Sequence, residues 1–163
     1  GMAEHLKQRV ISEIRDGKGI DVYTDPLASP TGFPFKVARL EGTMSEPDVY
    51  EERDRICDLG YLREAAEVTF IGRDGKEKKT VVYRCASEPI DDYIKKGGKI
   101  EQTIGRKCIC NSLVSTVGMG QIRENGQVEA PIMTIGDSVN DNVRAIDGPI
   151  TVETILASLR SDS

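Results

Sequence analysis

Between residues 3 and 16 apolar side chains return every three or four positions. Leu6, Val10, Ile11 and Ile14 share one face, while Glu4, Lys7, Gln8, Arg9 and Glu13 point elsewhere. That period predicts an amphipathic helix, and Gly17 and Gly19 end it. Residues 20–24 (Ile-Asp-Val-Tyr-Thr) alternate like a short strand and lead into residues 25–35, where three prolines and one glycine fall together. Proline fixes φ and removes a backbone donor, so this stretch reads as an ordered loop and not as a ladder strand. It is either a rigid structural crossing or a ligand-gating loop.

Further along, Ser45-Glu46-Pro47-Asp48 has the form of a helix start, with Ser45 as N-cap and acids in the first turn, and the helix is expected to run to about residue 55. Residues 66–71 and 78–84 flank Gly72-Arg73-Asp74-Gly75-Lys76, and Asp74-Gly75 is a hairpin signal. Val68 and Phe70 are expected to form a half-buried pair with Val81 and Tyr83. Glu88-Pro89 opens a helix that Gly97-Gly98 stops, another helix is expected from Arg106 to about Thr116, and Thr151 caps a last one with Val152, Ile155, Leu156 and Leu159 as its apolar stripe. No internal repeat is visible. Short helices mixed with at least one antiparallel hairpin predict an α+β fold, a small single domain over residues 2–163. Gly1, ahead of Met2, is set aside as a cloning remnant.

Charge and composition narrow the function. A net charge of −5 opposes general nucleic-acid binding. The local clusters Lys76, Lys78, Lys79 and Lys95, Lys96, Lys99 sit beside expected turns, where solvated tips explain them. No apolar run has the length of a membrane span and no signal-peptide core precedes the first helix, so a cytoplasmic protein without membrane partners is expected. Without tryptophan, and with only three Phe and five Tyr, the chain has little material for an aromatic ligand platform.

The four cysteines, Cys57, Cys85, Cys108 and Cys110, come from three separate stretches, and each is expected at the edge of an element. Helix N-termini and strand ends offer N–H groups that hydrogen-bond sulfur and lower its pKa. Four thiolates complete a closed tetrahedral shell, so a structural metal site, zinc first, is the leading expectation. C-x-C is tighter than the usual zinc spacing, and unligated buried cysteines, a disulfide and an iron–sulfur cluster remain as alternatives. The unligated reading is strongest for Cys108, beside the core candidates Ile109 and Leu113. His5, the sole histidine, reads as a solvated residue of the first helix.

No nucleophile elbow, zinc-protease motif or P-loop is present. Gly118-x-Gly120 reads as a helix stop. Residues 137–142 have a faint calcium-loop pattern but lack its central glycine and its terminal glutamate. Cysteine catalysis would need a histidine partner, and only His5 exists. No catalytic or cofactor-binding residue is therefore assigned. A thiol redox role for Cys108 and Cys110 stays open.

Four blocks taken in order resemble a known family. They are Thr24-Asp25-Pro26-Leu27-Ala28-Ser29-Pro30-Thr31-Gly32-Phe33-Pro34-Phe35-Lys36, Arg55-Ile56-Cys57-Asp58-Leu59-Gly60-Tyr61-Leu62-Arg63, Tyr83-Arg84-Cys85-Ala86-Ser87-Glu88-Pro89 and Gly105-Arg106-Lys107-Cys108-Ile109-Cys110-Asn111. Together they resemble the C-terminal, post-barrel region of one branch of the nitronate monooxygenase (2-nitropropane dioxygenase) family, over roughly residues 6–135. The resemblance implies that an FMN-binding α/β barrel does the oxidation of alkyl nitronates, and that this chain is an accessory or C-terminal domain of such an oxidoreductase. The barrel, its flavin-phosphate loops and its base are missing here, so FMN would belong to a barrel domain or subunit. All four cysteines fall inside the matching region as a set. On this reading the face of Leu6, Val10 and Ile14 and the loop at 26–35 would dock on the barrel. The alternative is a stand-alone metal-binding interaction module, with those surfaces self-covered or joined in a homodimer.

Overall fold

A computed structural model describes residues 2–161, so the last two residues of the expected 2–163 span lie outside the described residues. The chain forms an α+β fold of two antiparallel hairpins and several short helices. In order these are α1 (Glu4–Arg15), β1 (Val22–Asp25), β2 (Phe35–Ala38), α2 (Pro47–Glu51), β3 (Glu64–Ile71), β4 (Glu77–Arg84), α3 (Ile90–Lys95), a 3-10 turn (Ile100–Thr103), α4 (Ile109–Thr116), α5 (Val139–Arg144) and α6 (Val152–Ser161). Among the described residues no helix is long and apolar enough to cross a membrane.

The β1–β2 hairpin organises the interior because its side chains alternate between two cores. Ala38 faces a cluster built from Leu6, Val10, Ile11 and Ile14 of α1 with Ile20, Leu40, Met133 and Val143. Val37 faces a second cluster with Ala28, Met44, Ile109 and Ile132. Residues 132–135 run along β2 as a strand-like partner: Ala38 N–H donates to Met133 O at 2.8 Å and Ile135 N–H to Lys36 O at 3.2 Å. Ile132 and Met133 thereby alternate between the same two cores as Val37 and Ala38.

Several expectations are corrected. β2 begins directly at the end of the proline-rich segment, where no strand was expected, and pairs Tyr23 with Val37. The α1 face of Leu6, Val10 and Ile14 is buried inside this chain and so is not free to dock on a barrel. Ser45 does not cap α2; its hydroxyl takes the Leu40 N–H at 3.1 Å and shares a bond with Thr43 Oγ1 at 2.9 Å, leaving Glu46 as the cap residue. α2 stops at Glu51, four residues early, because the next turn sends Arg53 and Arg55 inward. α4 starts at Ile109, since Arg106 and Lys107 are extended to reach the proline loop. Residues 137–142, weighed as a calcium loop, open α5. Asn140 there makes two bonds to Ile20, accepting its N–H at 2.7 Å and donating to its carbonyl at 2.8 Å.

The β3–β4 hairpin forms as expected, but its apolar residues do not pair as expected. Register places Ala66 opposite Val82 and Val68 opposite Thr80, whereas Glu67 faces Val81 and Ala65 faces Tyr83. Val68 and Phe70 therefore lie on one face, and Val81 and Tyr83 on the other. Phe70, Val81 and Tyr83 are all exposed, and Val68 is half-buried. At its base Arg84 donates to Lys96 O at 3.1 Å and lies over the buried Tyr93 ring at 5.3 Å. The α6 stripe is likewise exposed at Val152, Ile155, Leu156 and Leu159, although Thr151 caps the helix as expected through Thr154 N–H at 3.3 Å.

The proline loop is fixed by charge. Asp25 pairs with Lys107, and both side chains are buried. Asp25 also accepts the Leu27 N–H at 2.8 Å and the Tyr23 hydroxyl at 3.2 Å. The Lys107 ammonium sits 4.7 Å above the Tyr50 ring, and Arg106 donates to Pro26 O at 3.2 Å and Ser29 O at 2.8 Å. Removing one partner strands a buried charge. Asp25→Asn is expected to lower stability by about 3–5 kcal/mol in urea unfolding, and Asp25→Asn with Lys107→Met to recover part of it. A single-variant loss below about 1 kcal/mol would show the pair to be solvated.

Candidate functional site: a cavity walled by four cysteines

Cys57 lies in the loop after α2, Cys85 directly follows β4, Cys108 is the N-cap of α4 and Cys110 is in that helix's first turn. Cys85, Cys108 and Cys110 stand at element edges, as expected; Cys57 does not, since α2 ends at Glu51 and β3 begins at Glu64. All four line one small cavity, together with Arg63 and Asn111. Cys85 and Cys108 are buried, Cys57 and Cys110 partly exposed, and all four are free thiols.

Three hydrogen-bonded joints bring these segments together, each one or two residues from a cysteine. Asn111 Nδ2 donates to Asp58 Oδ1 at 2.5 Å, joining the Cys57 loop to α4. Arg55 donates to Ala86 O at 3.0 Å, joining the Cys57 loop to the Cys85 segment, and reaches Thr103 O at 2.7 Å with its other nitrogen. Ser87 Oγ donates to Lys107 O, joining the Cys85 segment to the residue before Cys108.

Buried charge supports the first joint. Glu129 is held between Arg53 and Arg123, all three with side chains almost wholly buried. Arg123 extends to Asp58 Oδ2 at 3.1 Å. The Asn111 bond, the Asp58 backbone and Arg123 together hold the Asp58 carboxyl below the usual carboxylate range, although burial opposes them.

Cys85 and Cys108 are not electrostatically primed in the way expected from strand ends and helix N-termini. Burial dominates: it raises the Cys85 thiol, and it pushes Cys108 up to about 11. The Ser87 N–H, 3.4 Å from Cys85 Sγ, pulls the other way, as do Arg53 and the Asn111 N–H at Cys108. Without a metal, these two thiols are neutral at pH 7.

Four soft sulfur donors suit a closed zinc shell in kind and number. The space open to a water-sized body between them is about 10 Å³, enough for about one such body and far too small for an organic substrate. The sulfurs do not stand as a preformed shell: among the described residues no three His, Cys, Asp or Glu side chains are grouped as metal ligands. Binding would require the thiols to turn inward and lose their protons. His5 is exposed on α1 and does not line this cavity.

Arg53, Arg123, Glu129, Asp58 and Asn111 carry much of this framework and were not singled out from sequence. Arg53 and Glu129 are 76 positions apart, and no local pattern separates a buried charge from a solvated one. No family model, curated protein or solved structure matches the chain.

The raised Cys108 pKa fixes the sign of a pH effect. Below pH 9 the thiol is protonated in both states and the chain keeps its full stability. Between about pH 9 and 11 the unfolded thiol ionises first, and stability falls by roughly 2–3 kcal/mol. Urea unfolding of chelator-treated protein at pH 8 and pH 10.5 is expected to reveal this loss, and Cys108→Ala to reduce it. An equal loss in wild type and variant would contradict the assignment.

Proposed function

We propose that this chain is a non-catalytic accessory or C-terminal domain of an FMN-dependent, nitronate monooxygenase-like oxidoreductase, in which Cys57, Cys85, Cys108 and Cys110 form a structural zinc clamp. The observation that carries this reading is spatial. The family-like blocks at 55–63, 83–89 and 105–111 meet at the cysteine cavity, and the block at 24–36 is pinned to the last of them by Asp25–Lys107 and by Arg106. Blocks far apart in sequence thus form one unit, as parts of a shared domain should.

Within this reading FMN, bound on a barrel domain or subunit, supplies the redox chemistry. The residues of this chain act by structure. The three joints hold the cysteine-bearing segments in reach of one another, and zinc binding would replace three separate loop ends with one cross-link. The proline loop, fixed to Arg106 and Lys107, is a rigid crossing whose outward Phe33 is available to a neighbour.

A second reading, a stand-alone metal-binding interaction module, draws on the exposed stripe of α6, which an interaction surface would use. Co-purification with a yellow, FMN-containing barrel protein favours the first reading. A chain that forms a homodimer and ignores such proteins favours the second.

Metal analysis of protein prepared without chelator is expected to find about one zinc per chain. Finding none, with all four cysteines freely alkylated in the native state, would sink the clamp. Cys85→Ser is expected to abolish stoichiometric zinc binding and to lower the urea midpoint of the zinc-loaded protein to that of the metal-free chain. A loss no greater than that of an ordinary buried substitution would point to unligated cysteines.

A further inference from the structure

We infer that α6 is the contact helix of a homodimer, packing antiparallel against α6 of a second copy of this chain. The inference rests on the second reading's use of this helix as an interaction surface, and it needs neither metal nor barrel. α6 turns its apolar side away from its own chain. Val152, Ile155, Leu156 and Leu159 are 41–69% exposed, whereas the half-buried positions are Thr154 and Ser158, on another side of the helix. Ile155 and Leu159 border an open groove of about 240 Å³ that Val143, Ile146 and Ile150 also line. The apolar surface thus continues from the stripe onto the segment that follows α5.

The order of residues along α6 suits a copy of itself. The stripe is spaced symmetrically about the midpoint between Ile155 and Leu156, so an antiparallel partner sets Val152 level with Leu159 of the second copy, and Ile155 level with its Leu156. With about 3.6 residues per turn, Glu153 and Arg160 fall on one flank of the stripe and Ser158 on the other. An antiparallel two-fold pair brings like flanks together, so Glu153 of each copy comes within reach of Arg160 of the other. A parallel pair would set that flank against Ser158 and lose both contacts. Within one chain Glu153 and Arg160 are two turns apart, too far to pair with each other. Among the described residues neither joins an ion pair.

Four part-exposed side chains on each copy make a small contact against the roughly 1,200–2,000 Å² that stable interfaces bury. The dimer is therefore expected to be weak, with a Kd on the order of 10–100 µM.

Sedimentation equilibrium of the full chain, with chelator present and at concentrations spanning that range, tests this. The wild type is expected to pass from monomer to dimer. Leu156→Asp is expected to stay monomeric throughout, with the urea midpoint of the dilute protein unchanged, because Leu156 is 48% exposed in the single chain. Glu153→Arg and Arg160→Glu should each weaken the dimer about three- to tenfold at low ionic strength, and the double reversal should return it to within about twofold of wild type.

A wild type that stays monomeric would overturn the inference and leave the cysteine clamp standing. A dimer untouched by Leu156→Asp would keep the second reading and overturn the part given to α6. Single reversals without effect, or a double reversal that recovers nothing, would overturn the antiparallel pairing. A chain that remains monomeric and covers α6 with a barrel protein would overturn the inference in favour of the first reading.

Discussion

The carboxylate of Glu129, held between Arg53 and Arg123 in the interior, is the constraint from which the arrangement of this fold follows. Two guanidinium groups and one carboxylate can be taken out of water together only if each has partners, and Arg123 finds its second in Asp58. The chain after α2 must then turn inward to deliver Arg53, which ends the helix at Glu51. The same turn carries Asp58 to Asn111 at the start of α4, and Cys57 moves with it. A buried charge network is a weak source of net stability, but it is intolerant of misplacement. Removing Arg53, Arg123 or Glu129 leaves a buried charge without its partner, so the network favours one path for residues 52–58.

That selection matters because the thiols do not hold themselves in place. Burial favours the protonated form at Cys85 and Cys108, so in the metal-free chain those two sulfurs contribute packing and little else. The joints through Arg55, Ser87 and Asn111 keep three segments close without any help from sulfur. Among the described residues the sulfurs are not grouped as a metal shell, so a metal ion would have to draw the thiols together as well as deprotonate them. The N–H groups at Cys85 and Cys108 favour the charged form that burial opposes. The joints thus assemble the three segments without ligation.

How much of this could be read from the sequence depended on whether the determining interaction was local. The period of α1, the Asp74-Gly75 turn, the Gly97 stop and the placement of Cys85, Cys108 and Cys110 at element edges are all short-range properties, and they were legible. β2 was hidden because the prolines that argue against a strand lie just before it, not in it. Phe35 and Ala38 pair normally once Pro34 is passed. The apolar residues of β3 and β4 were recognised, yet they were assigned to a common face, because parity across a hairpin depends on the register of its turn. The Glu129 network was illegible for a simpler reason: nothing within a short window of sequence marks an arginine as buried.

The contrast between α1 and α6 carries this lesson into function. Both helices show an apolar stripe at helical spacing, both were read from the same kind of pattern, and they have opposite fates. The α1 stripe is covered by Ala38, Met133 and Val143 and is at most 9% exposed. On α6, Ile155 and Leu159 border a groove with Val143, Ile146 and Ile150, but the stripe remains 41–69% exposed. Periodicity records that a face is suited to burial; only the supply of a covering surface decides whether this chain buries it. α1 has the β1–β2 hairpin and the 132–135 strand opposite it, and that surface is already used. An exposed stripe of such size costs solubility, and proteins keep one where another surface meets it. The two stripes therefore part company: Leu6, Val10 and Ile14 are used up inside the chain, and α6 is left as the helix with exposed apolar area.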